Sequence, residues 1–127
     1  MKARAEDLPA IIETPLGSIR ALEEGDMTFT LIDVKEGGVD LGGLFAGFPG
    51  GMCPIAHWGY VIEGAVHVRF ADGHEEGAEK GSVFYFAPGH IPTFDPGTAM
   101  IEIGPKAENQ QLKEHLSRAA EHLLGGA

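Results

Sequence analysis

The sequence predicts an all-β fold closed by one helix near its C-terminal end. Three observations carry that prediction. Short runs of β-branched and aromatic residues recur along the chain, turns rich in glycine and proline separate them, and helix formers take over near the end. Gly 19 and Pro 8 are many for 127 residues and favour short strands joined by frequent turns. The length suits one domain, residues 1–127, with a β-sandwich or barrel over roughly 17–104 and a helix over roughly 106–124.

In chain order, Met1 to Leu8 is polar and has no pattern that would order it. Ile11-Ile12 and Ser18 to Leu22 are short strands divided by Pro15 and Gly17. Met27 to Val34 is a firmer strand, because Thr28, Thr30, Ile32 and Val34 alternate with Met27, Phe29, Leu31 and Asp33. Val39 to Phe48 follows a Gly37-Gly38 turn as another strand. Trp58 to Glu63 and Val66 to Phe70 flank Gly64 as a hairpin. Gly77 and Gly81 bracket a polar link, Ser82 to Ala87 is an apolar strand stopped by Pro88-Gly89, and Ala99 to Ile103 is the last strand. From Glu108 to Leu124 the residues are helix formers, with Leu112, Leu116, Ala119 and Leu123 on one stripe, Pro105 before them and Gly125-Gly126 after. The strands around Trp58 and Phe84 are apolar on both faces. Their outer faces therefore need a cover, which the helix and a second subunit would supply as a homodimer.

Composition excludes several function classes. A formal net charge of -10 argues against nucleic acid, whose phosphates need clustered Lys and Arg, and against anionic membranes. The chain shows no apolar run of signal-peptide or membrane-spanning length, so a cytoplasmic location is expected. The one cysteine, Cys53, cannot form an intrachain disulfide and suits a reducing compartment.

The chemistry concentrates in two segments. Cys53-Pro54-Ile55-Ala56-His57 places a thiol and an imidazole four residues apart, just ahead of a β run that ends at Gly64. Gly81-Ser82-Val83-Phe84-Tyr85-Phe86-Ala87-Pro88-Gly89-His90 brings a second imidazole beside a Pro-Gly turn. A thiolate and two imidazoles suit a divalent transition metal, with zinc or iron favoured over copper, nickel or manganese. Four residues of straight strand span roughly 13 Å, too far for two ligands of one ion, so the chain has to bend after Cys53, where Pro54 stands.

These two segments resemble the paired motifs of the cupin superfamily of small jelly-roll barrels, over roughly Asp40 to Ile103. The first family motif runs glycine, five residues, His-x-His, three or four residues, Glu, six residues, glycine. The second runs glycine, five residues, Pro-x-Gly, two residues, His, and the two His, the Glu and the last His commonly hold one metal. Two registers fit the first motif. With Gly51 as its opening glycine, His57 is the first His and Glu63 the acid, but the closing position falls on Phe70. With Gly64 as the closing glycine, His57 takes the Glu slot and Cys53 the second His slot; this register is preferred because it respects the turn, and it leaves Glu63 at the hairpin tip. In the second motif Gly81 and Gly89 match, Ala87 replaces the proline, and His90 lies two residues before the usual His slot, which is Pro92. The resemblance thus implies a metal on Cys53, His57 and His90. The run His-Trp-Gly-Tyr-Val-x-x-Gly followed by Pro-Gly-His-x-Pro looks like a subgroup of small bacterial cupins without an assigned reaction.

Plainer roles compete with each assignment. Cys53 could be a buried hydrophobe, His57 a core imidazole bonded to a carbonyl, and His90 an exposed loop residue. His67 and Arg69 alternate with apolar neighbours and should face water. His115 and His122 lie about 10.5 Å apart along a helix, too far to share an ion. Gly42 to Gly51 lacks the Gly-Lys-Ser/Thr ending of a phosphate loop, and Ser82 and Ser117 suggest no triad.

Three functional expectations follow. The first is a metal-dependent enzyme of isomerase, lyase or dioxygenase type acting on a small oxygenated molecule, with Tyr60, Tyr85 and Glu63 as candidates for proton transfer. The second is a binding or sensing module that holds a small-molecule ligand without chemistry. The third is a metal-free structural barrel. Few basic residues means that a highly phosphorylated substrate would need Arg20, Arg69 or Lys80 to converge on the cavity.

Overall fold

The computed structural model describes residues 2–35, 39–40 and 52–123. Among the described residues ten strands and one long helix follow in chain order: β1 (Ala10–Thr14), β2 (Gly17–Glu24), β3 (Met27–Val34), β4 (Val39–Asp40), β5 (His57–Glu63), β6 (Ala65–Phe70), β7 (Glu75–Glu79), β8 (Val83–Phe86), β9 (His90–Phe94), β10 (Ala99–Pro105) and α1 (Lys106–Leu123). They form two antiparallel sheets, a six-stranded one in the order β1-β2-β3-β10-β5-β8 and a four-stranded one in the order β4-β9-β6-β7. This is the jelly-roll expected from the sequence.

The strands form where the apolar alternation puts them. Met27 to Val34 is β3 as read, and its inner-face residues Ile32 and Val34 are buried. The core gathers Ile32 and Val34 with Val61, Val66, Val68, Phe70, Phe86, Phe94 and Met100, so both sheets contribute. Burying side chains of this size contributes about 1.5–3 kcal/mol each. At the β5–β6 turn Gly64 has φ +76°, and a Cβ there would press on Thr98. Glycine is therefore required for both conformation and space.

Two strands depart from the sequence reading. The polar link before Gly81 is β7, an edge strand whose residues Glu75 to Glu79 pair with Arg69 to Ala65. Its charges face water on a sheet edge, where no apolar alternation is needed. His90 to Phe94 is β9, held between β4 and β6. Pro92 argues against a strand here, yet its neighbours in the ladder carry it. Beyond Asp40 the expected strand to Phe48 lies outside the described residues, as do the side chains of Leu112, Leu116, Ala119 and Leu123. No described helix is long and apolar enough to cross a membrane.

Candidate metal centre

The backbone brings Cys53 and His90 side by side. Cys53 lies outside the named strands but forms an antiparallel bridge with His90 at the start of β9. Its N–H donates to the His90 carbonyl at 2.8 Å, and the Gly89 N–H donates to the Cys53 carbonyl at 2.8 Å. Gly89 has φ +90°, the left-handed turn that delivers His90 into β9. From Cys53 the chain turns through Pro54 and the buried Ile55 to His57, the first residue of β5. The expected bend is present, but the expected hairpin about Gly64 is not, because β5 lies in the six-stranded sheet and β6 in the four-stranded one.

The ligating atoms of Cys53, His57 and His90 all lie within 4.8 Å of one another, and all three residues are buried. Cys53 Sγ is 3.9 Å from His57 Nδ1, and the two imidazoles meet edge to face at 5.7 Å between centroids. Burial pushes the Cys53 thiol up to about 12, with the nearby Glu102 carboxylate adding to the effect. Burial also holds His90 below its ordinary value, helped by His57. Burial thus favours the protonated thiol of Cys53 and the neutral imidazole of His90.

The hydrogen bonds around the cluster settle which nitrogens face it. Asn109 Nδ2 donates to the Pro105 carbonyl at 2.8 Å, which turns its Oδ1 toward His57 Nε2 at 3.2 Å. His57 Nε2 therefore carries the proton, and Nδ1 faces the thiol with its lone pair. His90 Nδ1 donates to the Ala87 carbonyl at 2.7 Å, which leaves Nε2 as its ligating atom. Metal-binding histidines donate their second N–H to a carbonyl or carboxylate in this way, which fixes ring and tautomer. The residues fit a divalent cation: one sulfur and two nitrogens, each imidazole held from behind.

Two residues that the sequence reading missed belong to this centre. Glu102 on β10 places Oε2 4.0 Å from His57 Nε2, with its side chain only 14% exposed. Asn109 on α1 is buried and holds His57. A carboxylate inside the apolar run Ala99 to Ile103 was the available signal for Glu102, since it shares the inner face with Met100 and Gly104. Gly104 makes room for the arrangement: a Cβ there would sit 2.5 Å from Asn109 Nδ2 and 3.2 Å from His57 Cδ2.

Tyr60 and Tyr85 do not join the centre. Strand alternation sends them to the opposite face of the sheet from His57 and Phe86, where both are exposed, 43% and 50%. Glu63 is also exposed and pairs with Lys80 at 3.0 Å, as the preferred register implies. His67 and Arg69 face water, as expected. His90, by contrast, is 2% exposed and not a loop residue.

No family model matches the sequence, and no curated protein does. Solved structures do match. A cupin described as RmlC-like from Shewanella frigidimarina shares 18% identity at a TM-score of 0.58, over 85% of this chain and 93% of its own. A Bacillus subtilis oxalate decarboxylase variant shares 15% identity at a TM-score of 0.55, over 80% of this chain. This chain spans only 28% of that enzyme's length. The EutQ protein of Clostridium difficile aligns at a TM-score of 0.50 with 16% identity, over 84% of this chain and 82% of its own. At these identities the likeness is one of fold, and together with the two-sheet strand order it makes the fold of this chain the cupin jelly-roll.

Proposed function

We propose that the protein is a small metal-binding cupin in which Cys53, His57 and His90 hold one divalent transition ion, zinc or iron by preference. The observation that supports this most is the pairing of each imidazole's second N–H with a fixed acceptor, Asn109 for His57 and Ala87 for His90, while the remaining nitrogens and the thiol converge. Three protein donors leave a position for a small oxygenated ligand. When bound, the ion supplies a Lewis acid that polarises a carbonyl or activates water. The chain's own part is to orient: Asn109 fixes His57, the Ala87 carbonyl fixes His90, and the buried surroundings exclude bulk water. Enzymatic chemistry of isomerase, lyase or dioxygenase type is one use of such a site. Holding a ligand without turnover is the other, and the exposure of both tyrosines favours it by removing the proposed proton carriers.

The test is metal analysis of protein purified without added metal, then titrated with zinc. Wild type is expected to bind about one equivalent, and Cys53→Ala with His57→Ala to lose at least about 100-fold in affinity. Full metal occupancy in the double variant would defeat the assignment.

We further propose a homodimer in which a second copy covers the outer face of the six-stranded sheet. There Trp58, Tyr60, Ile62, Val83 and Tyr85 are all exposed beside Ile101 and Ile103, with no charged side chain among the seven. A two-fold contact sets this patch against itself. The lone buried thiol suits the cytoplasm as the location.

A further inference from the structure

The inner wall beside the cluster carries polar groups that neither the fold nor the metal donors use. On β10 and β3 the cross-strand pairs run Met100 with Ile32, Glu102 with Thr30, and Gly104 with Thr28. The inner face therefore changes from apolar at Met100 to polar at Glu102 and Thr28, which are diagonal neighbours on that face. Gly104, opposite Thr28, is the residue against which Asn109 and His57 pack, so Thr28 lies at the cluster's end of the barrel.

Thr28 is 5% exposed, and its Oγ1 has no hydrogen-bond partner among the described residues. A buried hydroxyl without a partner is costly, and such groups are usually satisfied by a ligand or by water. The Glu102 carboxylate makes no hydrogen bond among the described residues. Its ionic neighbour, His57 Nε2 at 4.0 Å, already donates to Asn109. The two oxygens thus belong to diagonal neighbours on one face of the sheet.

Charge sharpens the reading. A divalent ion, the Cys53 thiolate and the Glu102 carboxylate sum to zero, so the site has no net charge to draw in an anion, and the carboxylate opposes one placed beside it. The basic residues that could reverse this are engaged elsewhere. Arg20 donates to the Leu8 carbonyl at 3.0 Å, Lys80 pairs with Glu63, Lys106 reaches toward Glu23, and Arg69 is exposed.

We propose that Glu102 and Thr28 form a hydrogen-bond-accepting subsite beside the cluster. It selects a small neutral or cationic ligand bearing a hydroxyl or amine and disfavours a carboxylate. This rests on the metal-centre reading of Cys53, His57 and His90, and it separates the chain from its oxalate decarboxylase fold relatives, whose named substrate is a dianion.

Three probes of one skeleton test it: ethanolamine, ethylene glycol and glycolate, titrated into zinc-loaded protein and followed by NMR. Ethanolamine is expected to bind about tenfold more tightly than glycolate, with ethylene glycol between them. Glu102→Gln, nearly isosteric, should erase that preference in zinc-loaded and in metal-free protein alike. Thr28→Val should weaken all three probes severalfold, since each carries a hydroxyl. Glycolate binding as tightly as ethanolamine, a preference that survives Glu102→Gln, or no binding of any probe would overturn the subsite. Failure to take up zinc would instead count against the metal centre. The same series on metal-free protein then decides the subsite, because Glu102 and Thr28 are present there too.

Discussion

Burial governs what Cys53 can do. A thiol held near 12 stays protonated through the neutral range, so it becomes a ligand only when a cation displaces its proton. The same shift makes a stability prediction for the metal-free protein. The folded thiol keeps its proton above the ordinary thiol value of 9.0, where the unfolded one loses it. The unfolded state then binds fewer protons, and stability falls as pH rises from about 9 toward 12. A thermal melt series over that alkaline range should show a steeper decline for wild type than for Cys53→Ala, since other alkaline groups are common to both. Equal slopes would mean that the thiol is not buried as described. His57 and His90 owe their roles to different neighbours. His57 could be recognised from the register that closes at Gly64, whereas the residue that orients it, Asn109, comes from a helix 52 positions later in sequence. No local pattern connects the two.

At the scale of elements, the sequence was a good guide wherever apolar residues alternate. Strands β3, β5 and β6 fall where Thr28, Ile32 and Gly64 imply, because one face of each is buried and one glycine is required, but β5 and β6 enter different sheets and Gly64 joins the two sheets instead of closing a hairpin. It was a poor guide where pairing, not patterning, makes the strand. Strand β7 is polar almost throughout and exists because β6 offers it a ladder, and β9 tolerates Pro92 between Phe94 and His90. The position of His90 as the first residue of β9 explains how a histidine two places from the family's usual slot still reaches the centre: its backbone is bridged directly to Cys53. The tyrosines show the limit of motif reading. Their chemistry suited a site, but strand parity, fixed by burying His57 and Phe86, sends them outward. Glu102 is the converse, a carboxylate in an apolar strand whose inward parity is fixed by its pairing with Thr30 between the Met100–Ile32 and Gly104–Thr28 pairs.

On the whole molecule, the inner and outer faces of the six-stranded sheet are both apolar for much of their area. The inner face packs on the four-stranded sheet, while outside Trp58 and Tyr85 lean together at 5.1 Å beside Val83, which is 80% exposed on the edge strand β8. Contiguous exposed apolar side chains of this kind mark an association surface. In sedimentation equilibrium the protein should run at about twice its 13.5 kDa chain mass, and Val83→Lys with Tyr85→Lys should return it to the single-chain mass without loss of the fold. A wild-type protein that stays at the single-chain mass at micromolar concentration would remove the dimer from the account.

Cobalt(II) titration of the metal-free protein tests the central claim most directly, because cobalt takes zinc's donors and reports sulfur ligation by an intense thiolate-to-metal charge-transfer band. The band should rise to a one-equivalent endpoint, vanish in Cys53→Ala and be displaced by zinc. A titration that produces no charge-transfer band in wild type, or one that keeps it in Cys53→Ala, would contradict a metal centre built on Cys53, His57 and His90.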